Sequence, residues 1–142
     1  MQEHIASGRE NEENRYNPRF LKFLQAFAAI DNDEKLFPKT CRTCGRTFPS
    51  LSAYLQGTVA KGHSLEDCED TMRMPYTMTY RHCSCGNTLV LTFTADTYPL
   101  LRDLWVALRE EAARDGKALN EVVADFSAQW ERYILTHGST KE

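Results

Sequence analysis

Two short cysteine pairs, each closed by a glycine, constrain this chain more than any other feature of its sequence. They are Cys41-Arg-Thr-Cys44-Gly45 and Cys83-Ser-Cys85-Gly86, and 38 residues separate them. A structural zinc ion takes four thiolates in a tetrahedron at about 2.3 Å, and two tight turns can each supply two sulfurs without strain. A glycine after each pair permits a positive φ, which turns backbone N–H groups toward the sulfurs. The spacing therefore predicts one structural Zn2+ bound by Cys41, Cys44, Cys83 and Cys85.

The cysteine count supports the same interpretation. Five cysteines are present, and in a reducing compartment an odd number in tight pairs favours metal binding over a disulfide framework. Buried apolar or disulfide-forming cysteines are the alternative. Cys68 remains, and the neighbouring carboxylates of the 66–70 segment are expected to raise the pKa of its thiol and make it a poor nucleophile. His63 or His82 could replace one cysteine, although a surface histidine is the expected state of both.

These residues resemble the zinc-ribbon superfamily, in which two cysteine turns on β-hairpins bind one structural zinc ion. The resemblance covers roughly residues 36–94, and it implies Cys41 and Cys44 as the first ligand pair and Cys83 and Cys85 as the second. The second pair has one intervening residue rather than two, and the 38-residue spacer is long enough to contain a helix. The set is also similar, in reversed order, to the ligands of the redox-regulated heat-shock chaperone family.

Hydrophobic periodicity predicts helices at both ends of the chain and short strands in the middle, which is an α+β fold. The zinc-ribbon-like β core is flanked by an N-terminal amphipathic helix that begins at Asn17 and Pro18 and by a C-terminal antiparallel helical hairpin. The predicted parts are a flexible acidic tail (1–16), the N-terminal helix (17–35), the zinc-ribbon-like core (36–95), the helical hairpin (96–137) and a flexible end (138–142).

Local signals divide the middle and the C-terminal third further. Residues 50–56 read as a short helix capped by Ser50, residues 61–75 as a loop, and residues 76–80 and 88–94 as a β-hairpin with the second cysteine pair at its turn. In the helical hairpin, Thr97 and Pro99 are expected to begin the first helix and Gly116 to end it. Trp105 and Trp130 lie on the apolar stripes and are expected in the core.

Composition bounds the function. The 142 residues are 42% hydrophobic, which suits one domain with a real core. A net charge of -3 argues against a protein that coats nucleic acid or anionic lipid by charge alone. No apolar run approaches the roughly 20 residues of a membrane span, and the N-terminus lacks the order of a signal peptide. We therefore expect a cytoplasmic protein that does not enter the membrane.

The sequence predicts a non-catalytic regulatory or adaptor protein that acts through protein partners and forms a homodimer through its C-terminal helices. One alternative is a thiol–zinc redox sensor or chaperone. Another is a nucleic-acid-binding zinc ribbon, an association that the resemblance also implies. It would use the basic residues near the first cysteine pair, against the opposing charge of the 66–70 loop; these are Lys35, Lys39, Arg42, Arg46 and Lys61.

We expect no enzyme, because the sequence has no Gly-rich phosphate loop, no His-Glu-x-x-His and no nucleophile elbow. The paired carboxylates Glu110 and Glu111 stand beside Arg109 and Arg114. They are expected on solvated helix faces or in local ion pairs rather than in acid–base chemistry.

Overall fold

The computed structural model describes residues 16–137, and the side chains of all of these except 62–64. In this part of the chain, five helices and two antiparallel sheets form an α+β fold with a C-terminal helix pair, which confirms the predicted fold class. In chain order the elements are α1 (Leu21–Ala29), β1 (Lys39–Thr40), β2 (Thr47–Phe48), α2 (Leu51–Gln56), β3 (Thr58–Asp67), α3 (Glu69–Met72), β4 (Tyr76–Cys83), β5 (Thr88–Thr94), α4 (Leu101–Asp115) and α5 (Leu119–His137).

The predicted hairpin exists, and it belongs to a three-stranded sheet in the order β3-β4-β5. The prediction of a loop over residues 61–75 is wrong in two places. β3 runs to Asp67 and pairs antiparallel with β4, with an irregularity between Ala60 and Leu65, and Glu69–Met72 form the short helix α3. The polar sequence of β3 gives little strand signal of its own. Its backbone is ordered by the hydrogen-bonding groups that β4 offers, which is a tertiary effect.

The N-terminal helix is shorter than the predicted span 17–35. Asn17 does not cap it; the Asn17 side chain accepts the N–H of Arg19 at 2.9 Å in a preceding turn, and α1 begins only at Leu21. Tyr16, expected in the flexible tail, is buried with its ring 5.3 Å from that of Tyr133. This aromatic contact orders a residue whose acidic neighbours gave no apolar signal. The rest of the predicted tail, residues 1–15, and the predicted flexible end lie outside the described residues.

The C-terminal helices follow the predicted stripes more closely. Gly116 ends α4 with φ +64°, a left-handed conformation that glycine adopts at little cost. Thr97 does not cap α4, because its hydroxyl is bonded to the backbone of Thr94 and the helix begins at Leu101. Trp105 and Trp130 are both buried, as their stripes predict.

An aromatic cluster forms the centre of the core. The Phe27 ring stacks on Tyr98 with centroids 4.0 Å apart and lies 5.5 Å from Trp130. Phe93, on the buried face of β5, meets Phe27 edge-on at 5.2 Å. These contacts join α1, β5 and α5, and each aromatic pair adds roughly 0.5–1.5 kcal/mol beyond the area it buries.

The buried face of β4 is polar, in contrast to that of β5. Its inward residues are Thr77, Thr79, Arg81 and Cys83. Arg81 is 1% exposed, and its guanidinium donates to the Thr58 hydroxyl at 2.6 Å, to the carbonyls of Thr58 and Leu55 at 2.9 and 3.2 Å, and to Glu131 at 3.3 Å. A buried cation is tolerated only when its donors are paired in this way.

Glu111 differs from its expected position on a solvated face. It is 6% exposed and accepts hydrogen bonds from Arg19, Asn17 and Arg114 at 2.8 to 3.2 Å. The Arg19 hydrogen bond, together with Asn17 and the two guanidinium charges, outweighs burial and lowers the pKa of Glu111 from 4.5 to about 2. The pair with Arg114 is local, whereas Arg19 and Asn17 lie far away in the sequence and could not be anticipated.

Glu111→Gln is expected to lower the free energy of unfolding by roughly 1–3 kcal/mol near pH 7, because the charged hydrogen bonds to Arg19 and Arg114 are lost. Because the pKa of Glu111 is lower in the folded protein than in the unfolded chain, its charged form stabilises the folded state fully only above pH 4.5. This stabilisation is lost as the pH falls toward 2. Urea unfolding of the parent protein and of Glu111→Gln should therefore show a difference in the free energy of unfolding that is smaller near pH 3 than near pH 7. Glu110→Gln, at an exposed neighbour, is the control, and a difference independent of pH would contradict this account.

Candidate metal centre

The first cysteine pair occupies the turn between β1 and β2. The Cys41 N–H donates to the Arg46 carbonyl and the Gly45 N–H donates to the Cys41 carbonyl, both at 2.8 Å. Gly45 has φ +81°, a conformation that costs other residues free energy. The turn is closed on both sides by backbone bonds, so both sulfurs lie on one rigid loop.

The second pair occupies the turn between β4 and β5 and repeats the same bonding pattern. The Cys83 N–H donates to the Asn87 carbonyl and the Gly86 N–H donates to the Cys83 carbonyl, both at 2.8 Å, and Gly86 has φ +95°. The turn is therefore closed in the same way although only one residue separates its cysteines. The departure from the usual two-residue spacing does not prevent a matching loop.

The structure brings the four predicted ligand sulfurs together. All four Sγ atoms lie within 4.8 Å of one another. Cys41 Sγ is 3.7 Å from Cys85 Sγ, and Cys44 Sγ is 3.7 Å from Cys83 Sγ, so each close contact joins one turn to the other. A tetrahedral ion with 2.3 Å bonds requires sulfurs about 3.8 Å apart, whereas a disulfide requires about 2.05 Å. The geometry fits a metal ion, and the disulfide alternative is not what the chain adopts.

Backbone N–H groups stabilise negative charge on two of the sulfurs. The Cys44 N–H, assisted by the Asn87 side chain, lowers the pKa of Cys41 to about 6, and the Cys85 N–H lowers the pKa of Cys83. The Asn87 N–H lowers the pKa of Cys85, but burial and the three other sulfurs outweigh it and raise that pKa to about 11. A cation at the centre would relieve this crowding of negative charge, because metal ligands bind as thiolates.

Asn87 is a residue of the site that sequence reasoning missed. Its side-chain amide donates to Cys41 Sγ at 3.7 Å, so it links the second turn to a sulfur of the first. Hydrogen bonds of this kind orient ligands and adjust the charge on them. Its place directly after Cys85-Gly86 was the one available signal.

Arg46 connects the two turns from outside the sulfur cluster. Its guanidinium lies 5.2 Å from the centre of the Phe48 ring and donates to the Ser84 hydroxyl at 3.4 Å. Gly57 makes room for this arrangement, because a Cβ there would lie 2.8 Å from both the Arg46 Nη2 and the Phe48 Cε1 atoms. Arg46 is thus engaged in the fold as well as being a predicted nucleic-acid contact.

The other predicted basic contacts have different surroundings. Lys35 forms an ion pair with Asp96 at 3.0 Å. Lys39 is half-buried, and burial followed by repulsion from Arg42 lowers its pKa. Arg42 and Lys61 are exposed. Their role as nucleic-acid contacts stays a prediction.

Of the two histidines that could replace a cysteine, His63 has a side chain outside the described residues, and His82 is not part of the sulfur cluster. His82 is bonded through Nδ1 to the Thr88 hydroxyl at 3.2 Å, and among the described residues the metal-binding group contains the four cysteines alone. Cys68 has a raised pKa in the predicted direction, but the main cause is burial, with Glu66 and Asp67 contributing less. Cys68 lies directly after β3 and is not part of the sulfur cluster.

Comparison of the chain with protein-family models, with curated proteins and with solved structures finds no match. The zinc-ribbon resemblance therefore depends on the two cysteine turns, and no family is established. Within residues 16–137, no helix is long and apolar enough to cross a membrane.

Asn87→Ala is expected to weaken metal binding by about tenfold, because outer hydrogen bonds to ligands typically contribute that much to affinity. The measurement is competition of the purified protein against a chromophoric chelator. Ser84→Ala is the matched control, since Ser84 lies in the same turn and its hydroxyl contacts Arg46 rather than a sulfur. Equal affinities for the two variants would show that Asn87 only fills space.

Proposed function

We propose that this chain is a non-catalytic zinc protein that serves as a regulator or adaptor through protein contacts. The observation that carries the proposal is the closed set of four sulfurs from two matched turns. Soft thiolates at tetrahedral spacing suit Zn2+, and four protein ligands leave no open position for the water that hydrolytic zinc requires. Zinc of this kind contributes to folding, so the surfaces that it holds in place carry the function.

A partly exposed sheet face supports protein contacts. On β4, the residues that alternate with the buried ones are Tyr76, Met78, Tyr80 and His82, all half-buried. Val59 on β3 and Val90 on β5 are 67% and 39% exposed. Aromatic residues and methionine are enriched in protein interfaces, so this face, which we call the outer sheet face, suits a protein partner.

The C-terminal helices offer less surface for the predicted homodimer than their sequence implies. Their apolar stripes are buried within the same chain. On these two helices, the large hydrophobic residues exposed in the described part of the chain are Val106 and Leu135. A dimer through the helices stays a prediction.

The purified protein is expected to contain about one equivalent of zinc under reducing conditions, and Cys83→Ser is expected to lose it. Because Cys83 is also buried in the core, this variant should unfold at a lower temperature as well. Cys68→Ser removes a thiol outside the cluster and is expected to keep both zinc and stability. Elemental analysis and thermal unfolding check this, and less than about half an equivalent of zinc in the parent protein would refute the site.

Nucleic-acid binding is a second candidate, and the arrangement of charge along β4 favours it. Cys83 pairs with Thr58 at the metal end of the sheet, whereas Glu66 pairs with Met78 toward the other end. Met78 and Cys83 are five positions apart on the strand, which is about 17 Å. The acidic segment expected to repel phosphate therefore lies well away from Lys39 and Arg42 on the first cysteine turn.

If this second candidate holds, Arg42→Ser should weaken binding of a labelled single-stranded oligonucleotide by about two- to fivefold and reduce the salt dependence. Fluorescence anisotropy at about 50 mM salt measures this effect, because low salt favours phosphate contacts. Lys117→Ser removes an exposed charge between α4 and α5 and serves as the control. Absence of binding by the parent protein at low salt would remove the candidate.

A further inference from the structure

A second concave site lies on the sheet away from the cysteines. It is a cavity of about 390 Å³ between the end of β3, α3, α4 and the start of α5. Its apolar lining consists of Leu65, Trp105 and Val123, which are buried, and Leu119, which is half-buried. The volume and the aromatic lining are typical of sites that receive one small group or one side chain.

The polar part of this cavity is acidic. The carboxylates of Asp67 and Asp70 line it, together with one cation, Arg109. The Glu66 carboxylate instead accepts from the Tyr80 hydroxyl at 2.6 Å on the outer sheet face. Arg109 forms an ion pair with Asp67, whereas Asp70 is exposed and forms no ion pair with any residue of the described chain. The lining therefore keeps an excess of negative charge beside an apolar surface, and the group that best complements it is an organic cation.

Arg109 illustrates which chemistry the cavity accepts. Its guanidinium lies 5.8 Å from the centre of the Trp105 ring while it is bonded to Asp67. Trp105 is fixed in turn, since its Nε1–H donates to the Thr77 hydroxyl at 2.8 Å. A cation near an aromatic ring with a carboxylate beside it is a favourable arrangement, and the unpaired Asp70 offers a further carboxylate.

We propose that this cavity binds a basic side chain of a partner polypeptide. The aliphatic stem of an arginine or lysine lies against the apolar lining of Leu65, Trp105 and Val123, and the charged head lies beside the Asp70 carboxylate at the rim. Neighbouring leucine-like residues of the partner extend the apolar contact. This inference rests on the proposed function as a protein-binding module and assigns the chemistry of one partner segment.

A second cavity has a different character and provides an internal comparison. It measures about 480 Å³, and Arg19, Lys22 and Arg114 line it against Asp103 and Glu110. Arg19 and Arg114 are already bonded to Glu111, so carboxylates and cations balance there and the cavity holds no excess negative charge for a basic side chain. Asp103 therefore offers a carboxylate on the same helix as Trp105 but outside the acidic cavity.

The test uses the full chain with zinc bound and a capped pentapeptide of alternating leucine and arginine. The two indole N–H signals of the protein, observed by two-dimensional NMR, report whether the peptide binds in the cavity. Trp105 lines the cavity, whereas Trp130 is fully buried elsewhere in the core. The Trp105 signal is expected to shift on titration and the Trp130 signal to stay. Asp70→Asn should weaken binding by about two- to fivefold, as expected for one exposed charge pair, and Asp103→Asn should leave it unchanged.

Three results would overturn the assignment: an unmoved Trp105 signal, equal binding of a peptide with glutamate for arginine, or equal weakening by Asp70→Asn and Asp103→Asn. Free arginine amide that binds as tightly as the peptide would also overturn it, because the ligand would then be a small cation rather than a polypeptide. Failure of the proposed function is a separate outcome, since it would appear as a parent protein without zinc. A zinc-loaded protein that ignores the peptide loses only this cavity assignment.

Discussion

The meeting of four sulfurs is the constraint on which the rest of the structure depends. It brings together two turns that are distant in the chain and holds the β1–β2 hairpin against the end of the larger sheet. Cys41 and Cys83 belong to the sulfur cluster and also to the buried core. The candidate metal centre and the hydrophobic core are therefore one continuous body, so an ion bound there would contribute its binding free energy directly to folding.

Arg81 extends this constraint into the helices. It lies two residues before Cys83 on the same buried face of β4, and its guanidinium reaches the end of α2, the start of β3 and Glu131 on α5. The cost of burying the charge is offset only while all of these partners stay in place. A displacement of α5 would remove Glu131, the carboxylate paired with Arg81, and a displacement of the β3 start would remove its bonds to Thr58. The bonds of one side chain thus hold the helices in a fixed position relative to the metal end of the sheet.

The sequence predicts those features that are encoded locally, and it misses those that depend on distant partners. The apolar stripes of α4 and α5, the stop at Gly116 and the spacing of the cysteine turns all carry their information within a few residues, and the structure agrees with each. The strand character of β3 comes from β4, the burial of Tyr16 from Tyr133, and the burial of Glu111 from Arg19 and Asn17. Asn87 belongs to both groups, since its position is local but its sulfur partner lies on the other turn.

The orientation of β4 shows what the metal centre adds beyond stability. Hydrophobic patterning alone would place Tyr76, Met78 and Tyr80 inside, because strands normally bury the more apolar of their two faces. The structure buries the threonines, Arg81 and Cys83 instead. A shift of one residue would reverse the faces and move Cys83 away from Cys44, so the sulfur cluster and the Arg81 bonds specify an orientation that the hydrophobic effect opposes. A strand that exposes its more apolar face is expected where the protein uses that face for function. The apolar residues turned outward form the outer sheet face, and the same orientation places Thr77 where it holds Trp105 in the acidic cavity, so one register serves both candidate contact surfaces.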